Sequence, residues 1–154
     1  MTEPRLLVID LDATTSHELF ATVSSRLVDE GLAKPSFLTA AEGREATYPT
    51  GLDFGHTQVA IPHVDPDHVI APGLVVCRNK RTTVFHAMDD PERKLDVRLS
   101  IWPLVTDPHN QVGMLGAVID LLQDPPSCRL LITADDADVH RAVRAVMNAI
   151  EPAT

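Results

Sequence analysis

The residues best suited to chemistry lie around a histidine that follows the end of a predicted strand. Residues 58–61 (Q-V-A-I) have the composition of a strand, Pro62 ends it, and His63 comes next. A rigid element followed by a loop is a common way to present a reactive side chain to solvent. Arg44 and Thr50, upstream, have the donor groups needed to hold an anion. We therefore take His63 as the candidate reactive group.

The chemistry that suits such a histidine is reversible phosphoryl transfer. One imidazole nitrogen attacks while the other is held by a hydrogen bond that fixes the tautomer. Cationic groups or the N-terminus of a helix must then stabilise the transferred charge. His109, at the start of a predicted helix, could meet the strand end at one edge of a sheet. From the residues alone, a solvated loop histidine without a catalytic role is the commoner outcome at such a position.

Other reaction classes have weaker support in the sequence. His63 and His68 flank Asp65 and Asp67 and could collect a divalent ion, but a solvated loop has the same composition. The spacings H-x-x-x-H and C-x-x-C are missing, as are G-x-S-x-G and the glycine-rich loops that bind nucleotides. Cys77 lies in a predicted buried strand, where thiols are usually inert. We predict neither a metal nor a cofactor.

The elements that position these residues alternate between strands and helices. A capping-box spacing at Thr15 and Glu18 begins the first helix, which Gly31 ends. Strands are predicted at 6–11, 58–61, 73–77, 83–85 and 94–105, and helices at 15–30, 34–46, 107–123, 127–131 and 135–150. We expect one α/β domain over residues 1–154, with a mixed sheet flanked by helices on both faces.

Several details of these elements are predicted as well. Residues 83–85 are expected to form a short edge strand, and Pro103 to mark a bulge or the end of the central strand. Apolar stripes are predicted on the last two long helices, formed by Val112, Leu115, Ile119 and Leu122 and by Val139, Val143, Val146 and Ile150.

The composition narrows the range of partners. The chain has 154 residues and a formal charge of -9, and it lacks the clustered Lys and Arg of nucleic-acid-binding proteins. No apolar run approaches a membrane span, and the first residues make a poor signal peptide. We therefore predict no nucleic-acid binding, no membrane insertion, and a cytoplasmic location where Cys77 and Cys128 are free thiols.

Several motifs together resemble a known family, over about residues 5 to 150. They are R-E at 44–45, Y-P-T-G-L at 48–52, A-I-P-H at 60–63 and D-P-D-H-V at 65–69. This combination resembles the mannitol/fructose class of enzyme IIA domains of the bacterial phosphoenolpyruvate-dependent sugar phosphotransferase system (PTS). Within that class it is most similar to the galactitol-type branch.

The resemblance implies a role for individual residues. His63 matches the histidine that the phosphocarrier protein HPr phosphorylates at Nε2 and that passes the group to a cysteine of enzyme IIB. Arg44 matches an arginine that stabilises the phosphoryl group, and His109 matches a second histidine near it. Thr50 and Glu45 match positions at the edge of the site and are given supporting roles. A sixth residue, His68, matches the galactitol branch and is expected to stabilise the loop.

The function implied is phosphoryl carriage during uptake of a sugar or sugar alcohol. HPr would be the donor, enzyme IIB the acceptor, and enzyme IIC an indirect partner in the complex. Two alternatives remain open: a free-standing regulatory protein that signals its phosphorylation state by protein binding, and a degenerate member that no longer carries phosphate. Arg44, Thr50 and His63, all present in this chain, count against the second alternative.

Overall fold

A computed structural model describes residues 3–151 of the chain, which form five strands and six helices: one strand, two helices, four strands and then four helices. The strands are β1 (Arg5–Leu11), β2 (Gly51–Asp53), β3 (Gln58–Ala60), β4 (Gly73–His86) and β5 (Lys94–Leu104). The helices are α1 (Ser16–Asp29), α2 (Phe37–Thr47), α3 (Gln111–Leu122), α4 (Pro125–Thr133), α5 (Asp136–Ala142) and α6 (Arg144–Ile150). Single 3₁₀ turns occur at Pro66–His68 and Pro108–Asn110.

The five strands form one mixed sheet in the order β1-β4-β5-β3-β2. β1 is parallel to β4 and β3 to β5, whereas the β4–β5 and β2–β3 pairs are antiparallel. Apolar side chains from α1 and α2 pack on one face of the sheet, and those from α3 to α6 pack on the other. The predicted α/β fold, with helices on both faces of a mixed sheet, is confirmed.

The central strands are apolar on both sides because both faces are covered. Val75 and Cys77 of β4 belong to the core beneath α1 and α2, whereas Leu74 and Val76 belong to the opposite core. Trp102 of β5 anchors the first core, where its ring packs against those of two neighbouring phenylalanines. None of the described helices is long and apolar enough to cross a membrane.

The predicted strands at 73–77 and 83–85 are parts of one long strand, β4. The expected separate short strand is therefore wrong. Residues 83–86 nevertheless lie at an edge, since among the described strands they pair with β5 alone, whereas β1 pairs with residues 73–79. The register shifts between Arg78 and Thr83, so that residues 79–82 lie opposite Arg98 alone. The polar run is thus a bulge rather than a loop, and a bulge interrupts the alternation on which the strand prediction depended. The short strand β2 was not predicted.

The first helix is bounded as the sequence predicts. Thr15 Oγ1 accepts a hydrogen bond from Glu18 N at 3.1 Å, but the Glu18 carboxylate returns to Thr14 N, so only half of the capping box forms. Gly31 has a φ of +73° and follows the helix end, where its N–H bonds to Val28 O. Glycine adopts this left-handed conformation at little cost, which explains the clean stop.

The next two helices differ from prediction in where they begin or in which of their sides is buried. α2 begins at Phe37, so Pro35 precedes it. Of the apolar stripe predicted on α3, Leu122 is the one residue that is fully buried, and Val112 is 83% exposed. The other buried residues of α3 are Met114 and Val118, which were not in the predicted stripe. Because α3 is apolar on most sides, periodicity does not determine which side faces the sheet.

The end of the chain follows prediction more closely. The predicted helix at 135–150 is interrupted at Val143 into α5 and α6. All four side chains of its predicted apolar stripe are nevertheless buried: Val139, Val143, Val146 and Ile150. Pro103 lies one residue before the end of β5, as expected of a residue that weakens strand pairing.

Candidate active site

His63 is held rigidly just beyond the end of β3. Its side chain is only 7% exposed, and its Nδ1 lies 2.7 Å from the carbonyl oxygen of Ile61. Because a carbonyl oxygen can only accept, Nδ1 carries the proton and Nε2 keeps a free lone pair. A hydrogen bond from one ring nitrogen therefore leaves the other as a nucleophile.

The surroundings of His63 keep its ring neutral. Burial lowers the pKa of His63, and the positive charge of Arg44 lowers it further. The hydrogen bond to Ile61 and the charge of Asp65 oppose this shift, but the pKa still lies below its ordinary value. A neutral imidazole at physiological pH is the form that can attack an electrophile.

Arg44, in the last turn of α2, is directed to the same loop as His63. Its Nη1 lies 3.4 Å from Asp65 Oδ1, and its guanidinium carbon lies 5.8 Å from the centre of the Tyr48 ring. Its Nε is buried and has no hydrogen-bond partner among residues 3–151. The guanidinium is thus oriented from two sides, and its Nη nitrogens, rather than the buried Nε, are the donors placed to meet an anion.

Glu45 and Thr50 join α2 to β3 and so fix the segment that carries His63. The Glu45 carboxylate accepts hydrogen bonds from Thr50 N at 2.7 Å and from Thr50 Oγ1 at 2.8 Å. Thr50 in turn accepts from Ile61 N through its Oγ1 at 3.2 Å. Since His63 Nδ1 contacts Ile61 O, the carboxylate and the imidazole are linked through the backbone of Ile61, whose N–H bonds to Thr50 and whose carbonyl oxygen bonds to His63.

The Glu45–Thr50 contact is largely shielded from water. Thr50 is 2% exposed, and burial raises the pKa of the Glu45 carboxyl, although the two donors of Thr50 oppose that shift. Hydrogen bonds in such surroundings are costly to break, because a buried polar group left without a partner loses its solvation. Within residues 3–151 neither residue forms a hydrogen bond with the His63 ring, so their contact acts on the backbone of Ile61.

His109 lies at the same edge of the sheet as His63 but is not joined to it. β3 and β5 are parallel, with Ala60 level with Ser100, so the chain leaves both strands on the same side. The His109 side chain is 90% exposed, and its Nδ1 contacts Asp107 Oδ1 at 3.0 Å. Within the described part of the chain, no hydrogen bond links it to His63 or Arg44.

His68 fixes the loop rather than facing the His63 ring. Its Nδ1 lies 2.8 Å from Ser36 Oγ, and its carbonyl oxygen accepts from Lys34 N at 3.0 Å. These bonds attach the 3₁₀ turn at Pro66–His68 to the connection between α1 and α2. Across residues 3–151, no three His, Cys, Asp or Glu side chains converge as metal ligands do.

Two contacts at the site were not identified from the sequence. Asp65 pairs with Arg44, and Tyr48 packs against it. The spacing of Arg44 and Tyr48, four residues apart at a helix end, was a usable signal for the second contact. The thiol of Cys77 is excluded as a nucleophile, since burial raises its pKa to about 12.

Comparison with known proteins places this arrangement among PTS enzymes IIA. The chain is 25% identical over 122 residues to the PTS system galactitol-specific EIIA component of Escherichia coli strain K12. The aligned region covers 79% of this chain and 81% of that relative.

Two solved structures from Escherichia coli share the fold. One is the complex of mannitol enzyme IIA with phosphorylated mannitol enzyme IIB, with a TM-score of 0.70, 22% identity and coverage of 94% of this chain and 96% of that one. The other is mannitol IIA alone, with a TM-score of 0.69, 23% identity and coverage of 88% and 94%.

The family itself is established by the match of residues 1–145 to "Phosphoenolpyruvate-dependent sugar phosphotransferase system, EIIA 2". The chain belongs to this family, whose members are phosphoryl-carrying components of the phosphotransferase system.

Proposed function

We propose that His63 is the phosphoryl-carrying residue, which accepts the group at Nε2 from phosphorylated HPr and passes it to a cysteine of enzyme IIB. The observation that supports this most strongly is the bond between His63 Nδ1 and Ile61 O, which leaves Nε2 as the free nitrogen. Burial and the nearby Arg44 favour the neutral ring, which is the nucleophilic form.

Each transfer exchanges one bond to phosphorus for another. In the first step the Nε2 lone pair forms a bond to phosphorus while the bond between phosphorus and HPr breaks. In the second step a cysteine thiolate of enzyme IIB attacks the same phosphorus, and the electron pair of the N–P bond returns to His63. While the phosphoryl group is attached, the ring is cationic, and donation from Nδ1 to Ile61 O stabilises that charge.

The neighbouring residues divide between charge stabilisation and positioning. Arg44 supplies N–H donors of its Nη nitrogens for the phosphoryl oxygens. Thr50 and Glu45 hold the Ile61 backbone that orients the ring. His68 fixes the loop that follows, through Ser36. His109, which is exposed at the same edge, approaches the phosphoryl group when a partner docks.

The relatives support an acceptor protein and a class of transported substrate. A structure of mannitol enzyme IIA bound to phosphorylated enzyme IIB supports an enzyme IIB acceptor. Similarity to a galactitol-specific component supports uptake of galactitol or a related sugar alcohol. The exposed apolar side chains of Tyr48, Ile70 and Val112 offer contact area for transient docking of HPr and enzyme IIB in the cytoplasm. Residues 1–154 act as one such domain, without a cofactor or metal.

The test is phosphorylation of the purified chain by phosphoenolpyruvate, enzyme I and HPr, followed by intact-mass measurement. Wild type should gain one acid-labile, base-stable phosphate, and His63→Ala should gain none. The matched control is His56→Ala, which changes an exposed loop histidine whose Nδ1 contacts only Thr57. Phosphate on His63→Ala, or its loss from His56→Ala, would overturn the assignment.

A further inference from the structure

A concentration of positive charge lies beside the C-terminal end of β1, where β4 and β5 continue past it. Arg78 and Lys80 of β4 and Arg98 of β5 line a depression of about 160 Å³. Asn79, Asp10 and Ile132 complete its lining. Three cations at one depression are unexpected in a chain whose formal charge is -9. We propose that this depression, here called the β-bulge pocket, binds the phosphate group of a small phosphomonoester.

The bulge in β4 is what brings these cations together. Residues 79–82 lie opposite Arg98 alone, so the strand bends there and re-aims its side chains. Asn79 is 2% exposed and fixes the bend, because its amide bonds to Ala13 N at 2.7 Å, Ala13 O at 3.0 Å and Arg81 O at 2.7 Å. The pocket is therefore built on a buried polar anchor rather than on a mobile loop.

Two of the three cations form no ion pair among residues 3–151, although Lys80 lies near enough to Asp10 and Asp12 to interact with both carboxylates. Arg78 is paired through Nε with Asp10 Oδ1 at 2.7 Å, and the nearby Asp10 and Asp136 both raise its pKa. No carboxylate of residues 3–151 forms an ion pair with Lys80 or Arg98. The only side-chain bond recorded for Arg98 within that range runs from Nε to Asn79 O at 3.3 Å. The Lys80 ammonium and the outer Arg98 nitrogens thus remain available to a ligand.

The size and the lining of the β-bulge pocket indicate the chemical class of its ligand. Pockets for drug-sized molecules have volumes of roughly 300–1,000 Å³, so this smaller depression suits a single anionic group. Guanidinium and ammonium donors at one place favour phosphate, which accepts several charge-assisted hydrogen bonds. Ile132 provides an apolar wall beside these donors for the carbon skeleton of an ester.

The β-bulge pocket is separate from the His63 site. Ala60 is level with Ser100, His63 lies three residues beyond that pair, and Arg98 lies two residues before it. The two residues of β5 from Arg98 to Ser100 correspond to roughly 7 Å of strand, and the chain leaves β3 at Ala60 before it reaches His63. Neither His63 nor Arg44 lines the pocket. A ligand in the pocket would leave Nε2 of His63 open, so this site is additional to the phosphoryl-carrying one.

The test is titration of the ¹⁵N-labelled full-length protein with inorganic phosphate and with glycerol 3-phosphate, followed by NMR. Amide signals of residues 78–80 and 98 should shift and saturate, and the ester should bind at least as tightly as phosphate. Signals around His63 report binding at that site separately. Failure of the proposed phosphoryl transfer would therefore not affect this result.

Matched double variants decide whether binding is local. Lys80→Gln with Arg98→Gln should weaken binding at least about tenfold, and circular dichroism should show an intact fold because both side chains are exposed. Lys94→Gln with Arg129→Gln removes the same charge from exposed positions elsewhere and should leave the affinity unchanged. Three results would overturn the proposal. They are equal weakening of binding in both double variants, the same NMR shifts with sodium chloride at matched ionic strength, and binding of inorganic phosphate without binding of glycerol 3-phosphate.

Discussion

Two histidines, His63 and His109, lie at the same edge of the sheet but differ in burial and in their contacts. His63 is 7% exposed and is bonded to the backbone of a segment that Thr50 and Glu45 hold in place. The His109 side chain is 90% exposed and contacts only Asp107 in its own turn. A buried, oriented ring is suited to form and break a bond, whereas an exposed ring is suited to adapt to a partner. The predictions below test that contrast, from the largest effect to the smallest.

Replacement of Arg44 should have the largest effect among the residues around His63. Arg44→Gln removes the charge and the Nη donors, and loss of one such electrostatic stabiliser typically slows a reaction about 10²–10³-fold. Stopped-flow or quench measurements of phosphoryl uptake from HPr would give the rate. Arg26→Gln, which changes an exposed arginine paired within α1, is the control and should be neutral. A rate within about twofold of wild type in Arg44→Gln would remove the arginine from the mechanism.

The Glu45–Thr50 contact should affect both stability and rate. Thr50→Val removes the hydroxyl that donates to Glu45 and accepts from Ile61 N, and a buried group left unsatisfied costs about 1–3 kcal/mol. Urea unfolding would measure this loss, and uptake should slow as the His63 ring becomes less well positioned.

The control for that experiment is Thr47→Val, because Thr47 is exposed and its hydroxyl bonds only within α2. It should change the free energy of unfolding by less than about 0.5 kcal/mol. If the two valine variants were equally stable and equally fast, the Glu45–Thr50 contact would have no role in positioning His63.

His109→Ala should have a smaller effect, confined to transfer. The variant should accept phosphate from HPr at the wild-type rate. Its transfer to enzyme IIB should be slower, by a factor below about ten, because exposed electrostatic contacts are weak. Separate assays of the two half-reactions would show this difference. A severe defect in uptake from HPr would mean that His109 acts on the chemistry itself and that the contrast with His63 is wrong.

The smallest expected effect is the change of the free energy of unfolding with pH, which should come in part from His63. Its pKa is lowered in the folded protein, so the unfolded state binds a proton first as the pH falls below about 6.5. Stability contributed by the neutral ring is therefore present above pH 6.5 and lost as the pH falls toward the folded-state pKa. Urea unfolding between pH 7.5 and pH 5 should show a steeper loss in wild type than in His63→Gln. Parallel curves would contradict the shifted pKa.

Much of the fold could be predicted because its strands are apolar and its helices are capped. Local sequence is enough to predict β1, β5 and the Thr15 cap, because the residues that begin and end these elements lie within or next to them. The β4 bulge could not be predicted, because it depends on Asn79 reaching Ala13, a residue distant in the chain. The buried side of α3 was likewise undetermined, since that helix is apolar on most sides.

The candidate site shows the same division. His63 and Arg44 could be selected from residue type and motif. The bond from His63 Nδ1 to Ile61 O, the burial of the ring and the pairing of Arg44 with Asp65 could not, since each depends on how the loop folds back. Sequence also placed His109 at the correct edge of the sheet but gave no indication of its exposure.

The central claim is that the fold presents Nε2 of His63, and not Nδ1, to the phosphoryl donor. The most direct test is ³¹P and ¹⁵N NMR of the phosphorylated protein with labelled histidine, which identifies the nitrogen bonded to phosphorus. We predict a single N–P bond at Nε2 of His63, with Nδ1 still protonated and donating to Ile61 O. Phosphorus bonded to Nδ1, or to any residue other than His63, would contradict it.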